Sequence, residues 1–160
     1  MSEIIEKIKA ELEAFNQKKV AFVAELKKEF PAMFTPIFAK SKKIKSFGWS
    51  QYTPYFNDGE ECTFGVNNSD ISINGVDQYE CEFLDWRMKY VLSGDRDKKK
   101  YIDELSSNDK LDYQEYAIVQ EIESVLESIP EDFYRDLFGD HVQVTVNADG
   151  TIETEEYEHD

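Results

Sequence analysis

The 160-residue chain is 41% hydrophobic and 14% aromatic, and its 34 acidic side chains outnumber 18 basic ones for a formal net charge of −16. Eleven Phe, nine Tyr and two Trp exclude a disordered acidic tail, and the length supports one hydrophobic core rather than two. A charge of this sign repels phosphates and anionic membrane surfaces, so direct nucleic-acid binding is excluded and basic protein surfaces become the natural partners.

Ile5, Ile8, Leu12, Phe15, Phe22 and Leu26 recur at helical spacing, which predicts a helix from Ser2 to about Phe30. Pro31 is expected to end it, because the residue before a proline is pushed out of the α region. The helix is long enough to pair with another helix or with a second copy, but Lys19 interrupts the seam. A core helix laid across a sheet is therefore expected, with Leu12 and Phe15 buried.

Short β-type runs begin after the basic stretch Lys40–Lys45. Lys45–Tyr52 alternates Phe47 and Trp49 with small polar residues, and Asn57-Asp58-Gly59 has the composition of a hairpin turn. Cys62–Val66 reads as the return strand and Asp70–Asn74 as the next, which gives a three-stranded meander. Trp49 and Phe64 are predicted core residues.

Gln78–Leu92 is read as a helix, although Tyr79, Cys81 and Phe83 also alternate like a strand. A charged turn follows at Asp95–Lys100. Leu111–Ile129 is amphipathic, with Leu111, Ala117 or Ile118, Ile122, Val125 and Ile129 on one side. A short helix then runs from Pro130 to Gly139. The end of the chain reads as a hairpin in which Val142, Val144 and Val146 alternate, Asn147–Gly150 turns and Thr151–Tyr157 returns. The fold class that results is α+β, a single domain with one antiparallel sheet of about five strands packed with a long N-terminal helix and further helices. The final hairpin should join the same sheet, because a lone two-stranded hairpin is marginal in water.

The charge is unevenly placed: residues 1–50 hold 10 basic and 6 acidic side chains, whereas residues 101–160 hold 2 and 18. Glu121, Glu123 and Glu127 on the amphipathic helix, with Glu153 and Glu155 on the hairpin, read as solvent-facing and are the candidate partner-binding residues. The lysine-rich stretches Lys40–Lys45 and Lys98–Lys100 are too short, against this charge, to indicate a nucleic-acid site.

The polar and aromatic crowding in Trp49–Phe64 marks a second candidate, in which Gln51, Tyr52, Tyr55, Asn57 and Asp58 form a pocket for a small planar ligand. The same residues are also what a proline-fixed turn with core aromatics requires. The run Gln51-Tyr-Thr-Pro-Tyr-Phe-Asn-Asp-Gly59, with Cys62 and Phe64 after it, resembles a motif in a family of small proteins of tailed phages and bacteria. Gly139-Asp-His-Val142 and Glu156-Tyr-Glu-His-Asp160 are similar to the C-termini of that family. These stretches make up 20 of the 160 residues. The resemblance implies a shared fold and a phage or bacterial source, and it carries over no catalytic residue.

The two histidines, His141 and His159, lie near Asp140, Glu158 and Asp160 in sequence. If Asn147 stands opposite Thr151, His141 comes across the hairpin from Tyr157, so that His141, His159 and Asp160 are weak metal candidates without the fixed spacing of a metal signature. Glu60-Glu61 and Glu155-Glu156 are adjacent, and adjacent strand residues face opposite sides, so neither makes an acid/base pair. No phosphate loop, nucleophile elbow or Cys-His signature is present, and no cofactor is implied.

Cys62 and Cys81 lack the number and spacing of a disulfide framework. Met1 is followed by Ser-Glu-Ile-Ile-Glu-Lys rather than by a basic segment and an apolar run, and no stretch approaches membrane-spanning length, so a cytoplasmic protein is expected. Two functions follow. The first is a non-enzymatic acidic protein that engages a basic surface, such as the groove of a host defence or nucleic-acid enzyme, as a nucleic-acid mimic. The second is a domain that binds or processes a nucleotide-like ligand at Gln51–Asp58.

Overall fold

A proline inside a helix frees the carbonyl four residues earlier and normally ends or kinks the helix. In the computed structural model, α1 nevertheless runs from Ser2 to Lys40 through both Pro31 and Pro36. The expected end at Phe30 is thus corrected, and the reason lies in what each side of the helix meets. The freed carbonyls belong to Lys27 and Ala32, both exposed to water, while Phe30, Phe34, Ile37 and Phe38 are buried. Packing of those four side chains holds the C-terminal half of α1 in place whatever its local propensity.

The structure describes residues 2–55, 59, 61–84, 99–100, 103 and 107–158. Of the charged turn expected at Asp95–Lys100, residues 95–98 fall outside them and Lys99 and Lys100 are helical; the greater part of the helix expected over Gln78–Leu92 also falls outside. Its beginning is a 3₁₀ turn, Gln78–Glu80, capped by the Asp77 side chain, which accepts from Tyr79 N.

Among the described residues, six strands form one antiparallel sheet. They are β1 (Ser46–Tyr52), β2 (Gly65–Val66), β3 (Ser72–Ile73), β4 (Val76–Asp77), β5 (Val142–Asn147) and β6 (Ile152–Glu156). The order is β4-β3-β1-β5-β6, and β2 also pairs with β1. The three-stranded meander is therefore corrected: β2 meets Gln51 and Tyr52, and β3 meets Phe47 and Gly48, so the two short strands follow one another along a single edge of β1. The tight hairpin lies at Asn74-Gly75, between β3 and β4, where φ is +53° and +83°. Positive φ at both central residues is the type I′ geometry that Asn-Gly favours.

The final hairpin joins the sheet as expected, with β5 along the other edge of β1. Its register places Val144 beside Trp49 and Val146 beside Phe47, so these four share the core face. Among the described residues, α2 (Ser107–Glu127) and α3 (Glu131–Phe138) also pack on that face. From α2 come Ile118, Val119, Ile122 and Leu126, and from α3 Tyr134 and Leu137. Phe30, Phe34 and Phe38 of α1 meet Phe47 and Trp49 in a continuous aromatic cluster. Phe64 is half-buried against it.

The N-terminal half of α1 behaves otherwise. Every residue from Ser2 to Phe22 is exposed, and Ile5, Ile8, Leu12 and Phe15 are 46–68% accessible. Leu12 and Phe15 are not core residues. Their helical spacing is what a core-facing stripe would show, but α3 meets α1 through Asp136, which pairs with Lys19 at 3.3 Å, and through Phe133, which touches Phe22 edge-on at 5.7 Å, so this support lies C-terminal to Phe15.

Among the described residues no helix is long and apolar enough to cross a membrane. Cys62 and Cys81 are free thiols, and burial pushes the Cys81 thiol above its ordinary pKa.

Candidate functional site

Gln51 projects from β1 on the core side, fully buried between Val66 of β2 and Val142 of β5. A buried amide must place two donors and an acceptor. Its oxygen accepts from the Trp49 indole at 2.9 Å, and its nitrogen donates to Tyr134 O at 2.9 Å and Gly139 O at 2.7 Å. Gln51 thus ties β1 to the end of α3 and does not line a ligand pocket.

Tyr52 and Tyr55 come out on the surface near the turn that leads into β5. Gly139 has φ +94° and His141 φ +55°, a conformation that side chains other than glycine rarely take. Asp140 sits between them and holds the turn: its carboxylate accepts from Thr53 N at 2.8 Å, Thr53 Oγ1 at 2.7 Å and His141 N at 2.9 Å. Partial burial alone would raise the Asp140 pKa, but the Thr53 and His141 hydrogen bonds hold it below the usual carboxylate value. Arg135 lies 3.5 Å away, with its guanidinium over the Phe64 ring.

This turn brings together residues distant in sequence. The Tyr55 ring stacks on His141 at 4.9 Å and 14°, and Tyr52 meets Tyr157 at 5.5 Å. The hairpin register expected from Asn147 opposite Thr151 is observed, and Tyr157 N donates to His141 O at 2.8 Å. Asn57 and Asp58 lie outside the described residues, as do His159 and Asp160. Among the described residues no group of three His, Cys, Asp or Glu side chains is arranged to hold a metal ion.

The five glutamates selected for partner binding do not form one patch. Glu121 pairs with Lys40 at 3.0 Å. Glu123, expected to face solvent, is buried, because α2 turns this side toward the approach to β3. Together with Glu127, Asp70, Tyr79 and Gln120 it lines a groove of about 450 Å³. The Tyr79 hydroxyl donates to Asp70 at 3.2 Å. Burial, and after it the Glu123 charge, raise the pKa of nearby Tyr116. Glu153 and Glu155 are exposed on β6, at the far edge of the sheet, opposite the neutral Thr145 and Gln143. Asp70 was missed by the sequence reading, and as a lone carboxylate after the neutral stretch Asn67–Ser69 it gave no local signal.

Glu115 was also missed. It is buried on α2, and its carboxylate accepts from the Ser41 hydroxyl, from Lys42 N at 2.7 Å and from Lys43 N at 3.3 Å. These bonds fasten the end of α1 to α2 and leave the carboxylate no open side for a ligand.

Comparisons with protein-family models, with curated proteins and with solved structures find no match to this chain.

Proposed function

We propose that this chain is a non-enzymatic binding protein that engages a basic surface of a partner protein through its acidic groove. One observation carries the reading: Asp70, Glu123 and Glu127, from two separate elements, line the same groove beside β3. Carboxylates gathered on one concave surface attract an inserted Lys or Arg, and the long-range field of a −16 chain speeds the encounter. Glu153 and Glu155 add a second acidic strip on β6. A nucleic-acid enzyme is the favoured class of target, because its phosphate-binding groove offers the required basic surface.

The test is capture of partners from a bacterial lysate on the immobilised chain at low and high salt. A partner that leaves as ions screen the charge, and that competing DNA displaces, supports the reading. Retention on a variant carrying Asp70→Asn and Glu127→Gln would refute the groove, and retention in high salt would refute the charge mechanism.

A second reading rests on Tyr55, whose exposed ring is stacked flat on His141. An aromatic face of this kind offers a platform for a planar ligand, held from below by the Asp140 turn. A saturable rise in melting temperature with added nucleotides, lost in Tyr55→Ala, is the outcome this reading requires.

A further inference from the structure

The apolar stripe of α1 does not stop where the core stops. Ile5, Ile8, Leu12, Phe15, Lys19, Phe22 and Leu26 follow one another at alternating steps of three and four, the a and d positions of a heptad repeat. Leu26 already packs against the core, and Phe22 touches Phe133. The same stripe then continues over an exposed arm, residues 2–22, about 31 Å long. We infer that this arm is the interface with a second copy of the chain, joined as an antiparallel two-helix coiled coil.

Charge selects the second copy and the direction. The arm holds Lys7, Lys9, Lys18 and Lys19 against Glu3, Glu6, Glu11 and Glu13, so it is neutral, and the whole charge of −16 lies on the remainder of the chain. Two arms can meet without repulsion. Parallel pairing would set the two acidic bodies side by side and would place Lys19 against Lys19 in the seam. Antiparallel pairing puts the bodies at opposite ends.

One antiparallel register satisfies every position of the apolar seam. Ile5 faces Phe22 of the second copy, Ile8 faces the stem of Lys19, and Leu12 faces Phe15. At the flanks Glu11 then meets Lys18, twice by symmetry, and Lys9 meets the neutral Asn16. Sliding the arms by one heptad toward their tips, so that Ile8 faces Leu12, sets Lys9 against Lys9 and Glu11 against Glu11. Sliding them the other way drives each tip into the body of its partner. The selected register overlaps the two exposed stretches from end to end. Lys19 keeps its ammonium near Asp136 of its own body, 3.3 Å away, while its methylenes cover Ile8.

Sedimentation of the purified full chain over a micromolar concentration series tests this. The expected result is a reversible monomer–dimer equilibrium. The double variant Leu12→Asp with Phe15→Asp should be monomeric throughout while its tryptophan emission and melting of the core stay unchanged, because neither residue enters the core. Glu11→Lys should weaken the dimer about tenfold, and Glu11→Lys combined with Lys18→Glu should restore it. A chain that is monomeric at every concentration overturns the inference, whether or not another protein covers the arm. A dimer indifferent to the two aspartates, or to the Glu11 charge reversal, overturns it as well.

Discussion

The indole N–H of Trp49 donates to the side-chain oxygen of Gln51, 2.9 Å away, and the amide nitrogen of that same glutamine bridges two carbonyls at the end of α3. Removing the amide strands one donor and two acceptors in the core. Gln51→Ala should therefore cost about 3 kcal/mol or more in denaturant melts. Gln51→Glu should be unstable at neutral pH, where a carboxylate faces Tyr134 O and Gly139 O, and should recover on acidification, when the protonated group can donate. A raised folded-state pKa gives this sign: the penalty is absent below the unfolded pKa, near 4.3, and grows as pH rises above it. Trp49→Ala should cost about 3–5 kcal/mol.

Phe34 and Phe15 are both phenylalanines of α1, yet only Phe34 is buried, with its ring 4.9 Å from that of Phe47. Phe34→Ala should cost about 3–5 kcal/mol. Phe15→Ala should leave the melting temperature of the core unchanged at nanomolar protein. Thermal melts read by tryptophan emission compare the two directly.

Glu115→Gln keeps the size of the side chain but removes the charge that accepts from Ser41, Lys42 N and Lys43 N. Hydrogen bonds to a charged group contribute more than neutral ones, so a loss of about 2–3 kcal/mol is expected. Urea unfolding with an unchanged slope would mark this as a change in stability alone.

Asp140 titrates below an ordinary carboxylate because Thr53 and His141 donate to it, outweighing its partial burial. A lowered folded-state pKa contributes stability that is complete above the unfolded value, near 3.9, and is lost as pH falls through the folded one. The stability difference between the parent chain and Asp140→Asn should accordingly be constant at neutral pH and shrink below about pH 4. Parallel melts from pH 7 to pH 2 measure it.

Gly48 leaves no room for a side chain. A Cβ there would lie 2.6 Å from Val144 O, a main-chain atom of the paired strand, and 3.1 Å from Ser72 Oγ. Gly48→Ala should force β1 and β5 apart at a cost of about 1–3 kcal/mol, whereas Gly65→Ala meets open space and should cost far less. Amide exchange of the β1–β5 ladder reports the separation.

Local pattern predicted the elements with strong periodicity. The β5–β6 hairpin, its register, the amphipathic α2 and the short α3 are where alternation, turn residues and helix boundaries place them. Partner choice was not legible at that level. Cys62–Val66 and Asp70–Asn74 look like successive strands of a meander, but only tertiary pairing decides that both lie along β1. The heptad of α1 has the same appearance in its buried and exposed halves, since periodicity reports an apolar side and not what covers it. Pro31 is a helix breaker until four buried side chains around it outweigh the lost hydrogen bond. Gln51 and Glu115 were hidden for a related reason: a polar residue becomes a core residue when its partners, all but Trp49 lying 72–88 positions away in sequence, reach every donor and acceptor it has. The acidic side chains were visible as a total, and their division among a groove, an ion pair and an edge strand depends on the fold.

The long α1, anchored at one end only, gives the molecule two clocks. The amides of Phe30, Phe34, Ile37 and Phe38, whose side chains are buried in the core, should exchange with solvent deuterium only when the whole domain opens. Those of Glu6 to Phe15 are held by helical hydrogen bonds alone in a single chain, and should exchange through fraying from the tip, many orders of magnitude faster. The boundary between the regimes falls near Phe22 and Val23, within one uninterrupted helix. Nothing in its backbone pattern marks the place; the transition is set by where the neighbouring side chains end.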